Sequence, residues 1–93
     1  MIRLTMYSRP GCHLCDDMKA VVRRTADRLP HHTVEIDEVD ISADPELEAR
    51  YGLEIPVLLV DGRKVAKYRI REDELMRILA ARSDAAGTRV RPI

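Results

Sequence analysis

The sequence predicts an α/β domain in which a central mixed sheet of four strands is flanked by helices, in the order βαβαββα. Three observations carry this expectation. Residues 2–7 alternate apolar and polar types and lead at once into a long stretch with helical period. A second β-favouring run follows that stretch, and two strands joined by a helical crossover run parallel. An Asp61-Gly62 dipeptide between two apolar runs marks a hairpin, which adds an antiparallel pair.

The first strand is Ile2-Arg3-Leu4-Thr5-Met6-Tyr7, broken by Ser8-Arg9-Pro10-Gly11. In the next segment Cys15, Met18, Val22, Thr25 and Leu29 recur at three- and four-residue steps and form one stripe of a helix. Asp16, Asp17, Lys19, Arg23 and Arg24 fall largely outside the stripe, and Pro30 stops the helix. Val34, Ile36, Val39 and Ile41 indicate the second strand. Asp44-Pro45 reads as an N-cap and first helical residue of a short helix that runs to about Tyr51 and ends at Gly52. The apolar run over 55–60 is expected as a buried strand, with 64–68 as its hairpin partner. A last helix is expected over 72–82, with Leu75, Ile78 and Leu79 inward and Glu72, Asp73 and Glu74 near its positive end. Residues 1–82 then make one domain, and 83–93, which lack periodicity, a mobile tail.

With 93 residues, 45% of them apolar, the chain can bury one modest core. Phe and Trp are absent, so Leu, Ile, Val, Met and Ala must build it, and Tyr7, Tyr51 and Tyr68 are too few for a base-stacking platform. Sixteen Lys/Arg balance sixteen Asp/Glu, so no whole-chain field recruits nucleic acid or anionic lipid. The chain enters its first strand directly, with no apolar stretch suited to a signal peptide or a membrane span; a cytoplasmic monomer is the simplest expectation.

The chemistry concentrates at the only two cysteines, in Cys12-His13-Leu14-Cys15. A reducing compartment disfavours a structural bridge, and a bridge closing so short a loop restricts the unfolded chain little. Redox or metal chemistry is the better expectation. The motif lies where loop turns into helix, with the first sulfur at the helix start and the second one turn inside. Unsatisfied N–H groups and the helix dipole there stabilise a thiolate and typically move its pKa from ~8.5 toward roughly 3.5–7.5. Arg9 adds positive charge, whereas Asp16 would oppose ionisation if it faced the sulfur.

A closed zinc site needs four ligands. His13 is held within the loop, and His31-His32 lie ~25 Å away along a helix rising ~1.5 Å per residue. No metal site is therefore expected within one chain. The alternative from another class is a non-enzymatic metal or iron–sulfur module that uses the same two cysteines in a dimer, and a third is an interaction domain whose cysteines are idle. His13 is expected as an exposed polar residue without a catalytic role, and His31 and His32 as solvated. Arg69, Arg71, Arg77, Arg82, Arg89 and Arg91 read as a solvated face, because the acidic run of residues 72–74 lies among them.

The chain resembles the glutaredoxin-like branch of the thioredoxin superfamily over roughly residues 2–82. The resemblance rests on Tyr7-Ser8-Arg9-Pro10-Gly11-Cys12-His13-Leu14-Cys15 after one strand and Glu54-Ile55-Pro56-Val57 before another. It implies a thioredoxin-like fold and thiol–disulfide exchange through a redox-active Cys12–Cys15 disulfide, with no bound cofactor. Cys12 would attack and Cys15 resolve. It implies further that Pro56 is cis beside the cysteines, that Ile55 offers its backbone to an incoming peptide or to glutathione, and that Arg9 makes an electrostatic contact to an anionic thiol. The implied partners are a disulfide-bearing protein or small-thiol substrate and an external reductant, either glutathione or a flavoprotein reductase. Two features depart from the family. His13 and Leu14 stand between the cysteines where classical glutaredoxins have Pro and Tyr, and Ile70-Arg71 stand where those proteins use a glycine pair to hold glutathione. Glutathione is accordingly expected to be a poor partner.

Overall fold

A computed structural model describes residues 1–30 and 33–88, with side chains described as far as residue 82. The elements are β1 (Ile2–Ser8), α1 (His13–Asp27), β2 (Val34–Asp40), a 3-10 turn (Ile41–Ala43), α2 (Pro45–Tyr51), β3 (Val57–Val60), β4 (Arg63–Lys67) and α3 (Glu72–Thr88). The sheet order is β2-β1-β3-β4. β1 pairs in parallel with β2 and antiparallel with β3, which in turn pairs antiparallel with β4. This is the mixed α/β architecture that the sequence predicts.

Alternation along β1 sorts the two faces of the sheet. Ile2, Leu4 and Met6 are buried with Met18 and Val22 of α1 and with Leu75 and Leu79 of α3 in one apolar cluster. Tyr7 points to the opposite face and stacks on Tyr51 of α2, ring centroids 4.6 Å apart. α1 and α3 therefore cover one face and α2 the other. Thr25, fully buried in the α1 stripe, satisfies its hydroxyl by donating to the Val21 carbonyl at 2.7 Å. The β3–β4 turn has Asp61 at φ 50 and Gly62 at φ 85, the positive-φ pair that a two-residue hairpin requires.

Several boundaries differ from the expectation. Ile41 leaves β2 and is fully buried in the 3-10 turn, where Asp40 caps the backbone N–H of Ser42. β3 starts at Val57 and not at Ile55, because Pro56 has no N–H to give to a ladder. β4 ends at Lys67, since Tyr68 adopts φ 71 and turns the chain out of the sheet. α1 is capped at Arg28, two residues before Pro30. α3 continues to Thr88, so the first part of the segment expected as a mobile tail is helical. Ala85 and Ala86 favour helix there, and local propensity needs no apolar periodicity. Residues 89–93, including Arg89 and Arg91, lie outside the described residues, as do His31 and His32.

Asp61 ties three elements together. Its carboxylate accepts the Arg3 backbone N–H at 2.9 Å and the Arg82 guanidinium at 2.8 and 3.0 Å, while its own N–H donates to the Arg3 carbonyl at 2.8 Å. The Arg3 N–H, and after it Arg82, hold this carboxyl below the usual aspartate range. Because the folded-state pKa is depressed, the unfolded chain binds the proton more readily. The contribution to stability is complete above the ordinary aspartate pKa and is lost as pH falls through the lowered value. Urea midpoints measured from pH 7 down to pH 3 should therefore fall more steeply for the wild type than for Asp61→Asn, which still tolerates the positive φ. Parallel curves would show that Asp61 makes no such contribution.

Candidate functional site

The loop between β1 and α1 is short and closely specified. The Arg9 carbonyl accepts the Cys12 N–H at 3.3 Å across Pro10 and Gly11, with Gly11 at φ 81. This is the pattern of a type II turn, in which proline presets φ at the second position and glycine supplies the positive φ at the third. The turn delivers Cys12 to the N-cap of α1 at φ −91 and ψ 112. There its sulfur accepts the backbone N–H of Cys15 at 3.1 Å, the role that a serine or aspartate oxygen usually fills.

The two cysteines are joined as a disulfide with Cα atoms 5.2 Å apart, within the ordinary range for such a bond. Their surroundings are unequal. Cys12 is partly exposed, whereas Cys15 is only 3% exposed and continues into the buried stripe of Met18 and Val22. His13 is exposed, as expected. The 12–15 pair is thus oriented with one sulfur outward and one inward.

Ile55 and the buried Pro56 are joined by a cis peptide bond, and the next residue, Val57, pairs with Tyr7. Residues 55–56 and the cysteine loop therefore emerge from the same end of neighbouring strands. The Pro56 carbonyl accepts the Tyr68 N–H at 2.8 Å. Arg9 is engaged differently from the contact that the resemblance implies: its half-buried guanidinium is ion-paired with Glu48 on α2. Arg9 Nε and Glu48 Oε2 are buried without a partner among the described residues, which marks the inner side of this partly exposed pair as enclosed. Gly52 makes that enclosure feasible, since a Cβ there would lie 2.5 Å from the Glu48 carbonyl and 3.2 Å from the Arg9 guanidinium.

Beside the disulfide lies a polar cleft of about 280 Å³ lined by Ser8, Arg9, Cys15, Lys19, Glu38 and Asp40 among others. Glu38 pairs with Lys19 at 3.0 Å and accepts from the Ser8 hydroxyl at 3.4 Å. The Ser42 hydroxyl and then its N–H hold the Asp40 carboxyl below the usual range. Sequence reasoning did not find Glu38 or Glu48. The parallel β1–β2 register and the docking of α2 bring the two glutamates to the site, and neither leaves a local pattern. Among the described residues no group of three or more His, Cys, Asp or Glu side chains could hold a metal ion, and no helix is long and apolar enough to cross a membrane.

The family model described as Glutaredoxin-like domain (DUF836) matches residues 3–80. The chain belongs to this glutaredoxin-like family. It is 29% identical over 77 residues to the glutaredoxin-like protein YDR286C homolog of Dictyostelium discoideum, covering 80% of this chain and 71% of that protein. Among solved structures it is similar to the X-ray structure of target protein XcR50 from X. campestris, with 33% identity, a TM-score of 0.69 and coverage of 84% and 96% of the two chains. Protein Ne2328 from Nitrosomonas europaea is similar at 26% identity and a TM-score of 0.65, covering 80% and 86%. Chloroplastic thioredoxin z, 11% identical with a TM-score of 0.71 over 87% of this chain and 77% of its own, shares the fold. This glutaredoxin-like domain therefore has a thioredoxin-like fold, and its cysteine pair at a helix N-terminus fits thiol redox chemistry.

Proposed function

We propose that the protein is a thiol–disulfide oxidoreductase that reduces disulfides through the Cys12–Cys15 dithiol. The observation that carries this reading is the asymmetry of the pair. The outward sulfur caps α1 and receives the Cys15 N–H at 3.1 Å, an arrangement that favours a thiolate once the bond is reduced, and the second sulfur waits behind it in the core. In the cycle, the Cys12 thiolate attacks one sulfur of the substrate disulfide. A Cys12–substrate mixed disulfide forms, and the departing thiolate takes up a proton. Cys15 then loses its proton and attacks the Cys12 sulfur, which forms the Cys12–Cys15 bond and releases the second substrate thiol. Two electrons have passed from the dithiol to the substrate, and an external thiol reductant returns them.

Ile55 and Pro56, at the same sheet end, are the residues assigned to docking the substrate backbone, and Arg9 lends the loop a positive charge moderated by Glu48. Glutathione is an unfavourable donor in this reading. Ile70 and Arg71 stand where classical glutaredoxins use a glycine pair to hold glutathione; Ile70 is taken up in the apolar core, and the long side chain of Arg71 is exposed beside it. Insulin reduction assayed separately with dithiothreitol, a flavoprotein reductase and glutathione tests both points. Turnover with the first or second donor and slow turnover with glutathione is the expected result. Absence of insulin reduction with every donor, or a stoichiometric metal that blocks thiol titration in anaerobically purified protein, would sink the enzymatic reading.

A further inference from the structure

Tyr68 is the residue whose conformation the local sequence explains least. Its φ of 71 lies in the left-handed region, where a bulky aromatic residue is an outlier and is held only by its surroundings. The Arg69 N–H donates to the Lys67 carbonyl at 2.8 Å, closing a three-residue turn around Tyr68 of the rare, strained positive-φ kind. A glycine would occupy this turn without strain. The tyrosine must therefore be held there by bonds that a glycine could not make in full.

Residue 68 makes one backbone bond that a glycine would keep and one side-chain bond that it would lose, and both end on one short segment. The Tyr68 N–H donates to the Pro56 carbonyl at 2.8 Å, and the Tyr68 hydroxyl donates to the Leu53 carbonyl at 3.0 Å. Residues 53–56 are thus fixed at both ends by one side chain and its own backbone. Their other side-chain tie is the Glu54–Lys64 ion pair at 2.9 Å, half exposed and so of small worth. Leu53 itself is 93% exposed, which means that no packing anchors that end of the segment. Tyr68 also forms part of the wall of a cleft of about 580 Å³ between α1 and the β4–α3 connection, with Met18, Val21 and Ile70 beneath it and Arg69 and Arg71 at the rim. Tyr68 thus stands between this cleft and the segment that carries Ile55, which its two bonds reach.

We infer that Tyr68 is a positioning residue that holds residues 53–56 in the conformation that docks an extended polypeptide around the substrate disulfide. The inference rests on the proposed docking role of Ile55 and Pro56 and adds to it both the residue that sets the segment and a preference for polypeptide over small-molecule disulfides. A polypeptide needs the Ile55 backbone in a fixed place over several residues, whereas a small disulfide needs only access to the Cys12 sulfur.

The test uses the full-length chain and its Tyr68→Phe variant, which keeps the ring and removes only the hydroxyl bond to Leu53. KM for insulin should rise about two- to fivefold, the range for losing one hydrogen bond that is open to solvent. The kcat for insulin, the KM for hydroxyethyl disulfide and the rate of Cys12 alkylation should stay at wild-type values. Amide hydrogen exchange at Glu54 and Ile55 should quicken in the same variant, a readout that does not depend on turnover. Tyr68→Gly, which relieves the backbone strain and removes the ring, should show at least as large a rise in KM for insulin. An unchanged insulin KM in folded Tyr68→Phe overturns the inference while leaving the oxidoreductase reading intact. A parallel fall in kcat and in Cys12 alkylation also overturns it, since the residue would then act on the dithiol itself. A wild-type protein that reduces neither disulfide overturns the oxidoreductase reading; unchanged exchange at Glu54 and Ile55 then removes the structural half of the inference as well.

Discussion

Cys12→Ser is expected to reduce disulfide turnover to the background of the added reductant, whereas Cys15→Ser is expected to keep a reactive thiol and accumulate mixed disulfides with substrate. The difference follows from position on α1. Cys12 is the N-cap, partly exposed, with the Cys15 N–H directed at its sulfur; Cys15 is 3% exposed and lies inside the first turn. A thiol with an ordinary pKa is only a few per cent ionised at pH 7, so a sulfur stabilised by the helix start should alkylate about tenfold faster or more at that pH. The backbone N–H that stabilises it survives serine substitution at either position, which makes the comparison fair. Iodoacetamide rates against pH on the two single-cysteine proteins measure the thiolates, and mass spectrometry of trapped adducts locates the attacked residue. Equal alkylation rates, or adducts gathered on Cys15, would reverse the assignment of nucleophile and resolver.

The second large effect concerns stability. Leu58→Ala should cost about 2–5 kcal/mol, a large part of the roughly 5–15 kcal/mol that holds a small domain together. Leu58 is fully buried at the middle of the sheet, paired with Met6 on β1 and with Ala66 on β4. The core contains no phenylalanine or tryptophan, so no large neighbouring ring can swing into the space. A domain of this size loses about 4–8 °C in Tm per kcal/mol, and the variant should therefore melt about 10 °C or more below wild type. Leu53→Ala is the control, because a side chain 93% exposed should change stability by no more than about 0.5 kcal/mol. Calorimetric melts of the two variants side by side would contradict this account of the core if their Tm values agreed.

Local chemistry in the sequence was enough for a good part of this protein. The two-residue alternation of β1, the three- and four-residue stripe of α1, the Asp44-Pro45 start of α2 and the Asp61-Gly62 turn are each dictated by neighbours a few residues apart, and each is found in its expected place. The same holds for the cysteine pair, since a Pro-Gly turn followed at once by a helical stripe can only put Cys12 at the helix start and Cys15 inside it. What the tertiary structure alone decided depends on residues far apart in the chain. Arg9 looks free to meet an anionic ligand until α2 docks and Glu48 neutralises it. Glu38 reaches the cleft beside Cys15 only through the parallel register of β1 with β2. Tyr68 continues the β4 pattern in sequence, yet the carbonyls of Leu53 and Pro56 draw it into a positive-φ turn. Periodicity and turn propensity report only the energies of a residue with its immediate neighbours; ion pairing, strand register and a strained turn held by distant acceptors arise when the packed elements supply the partner.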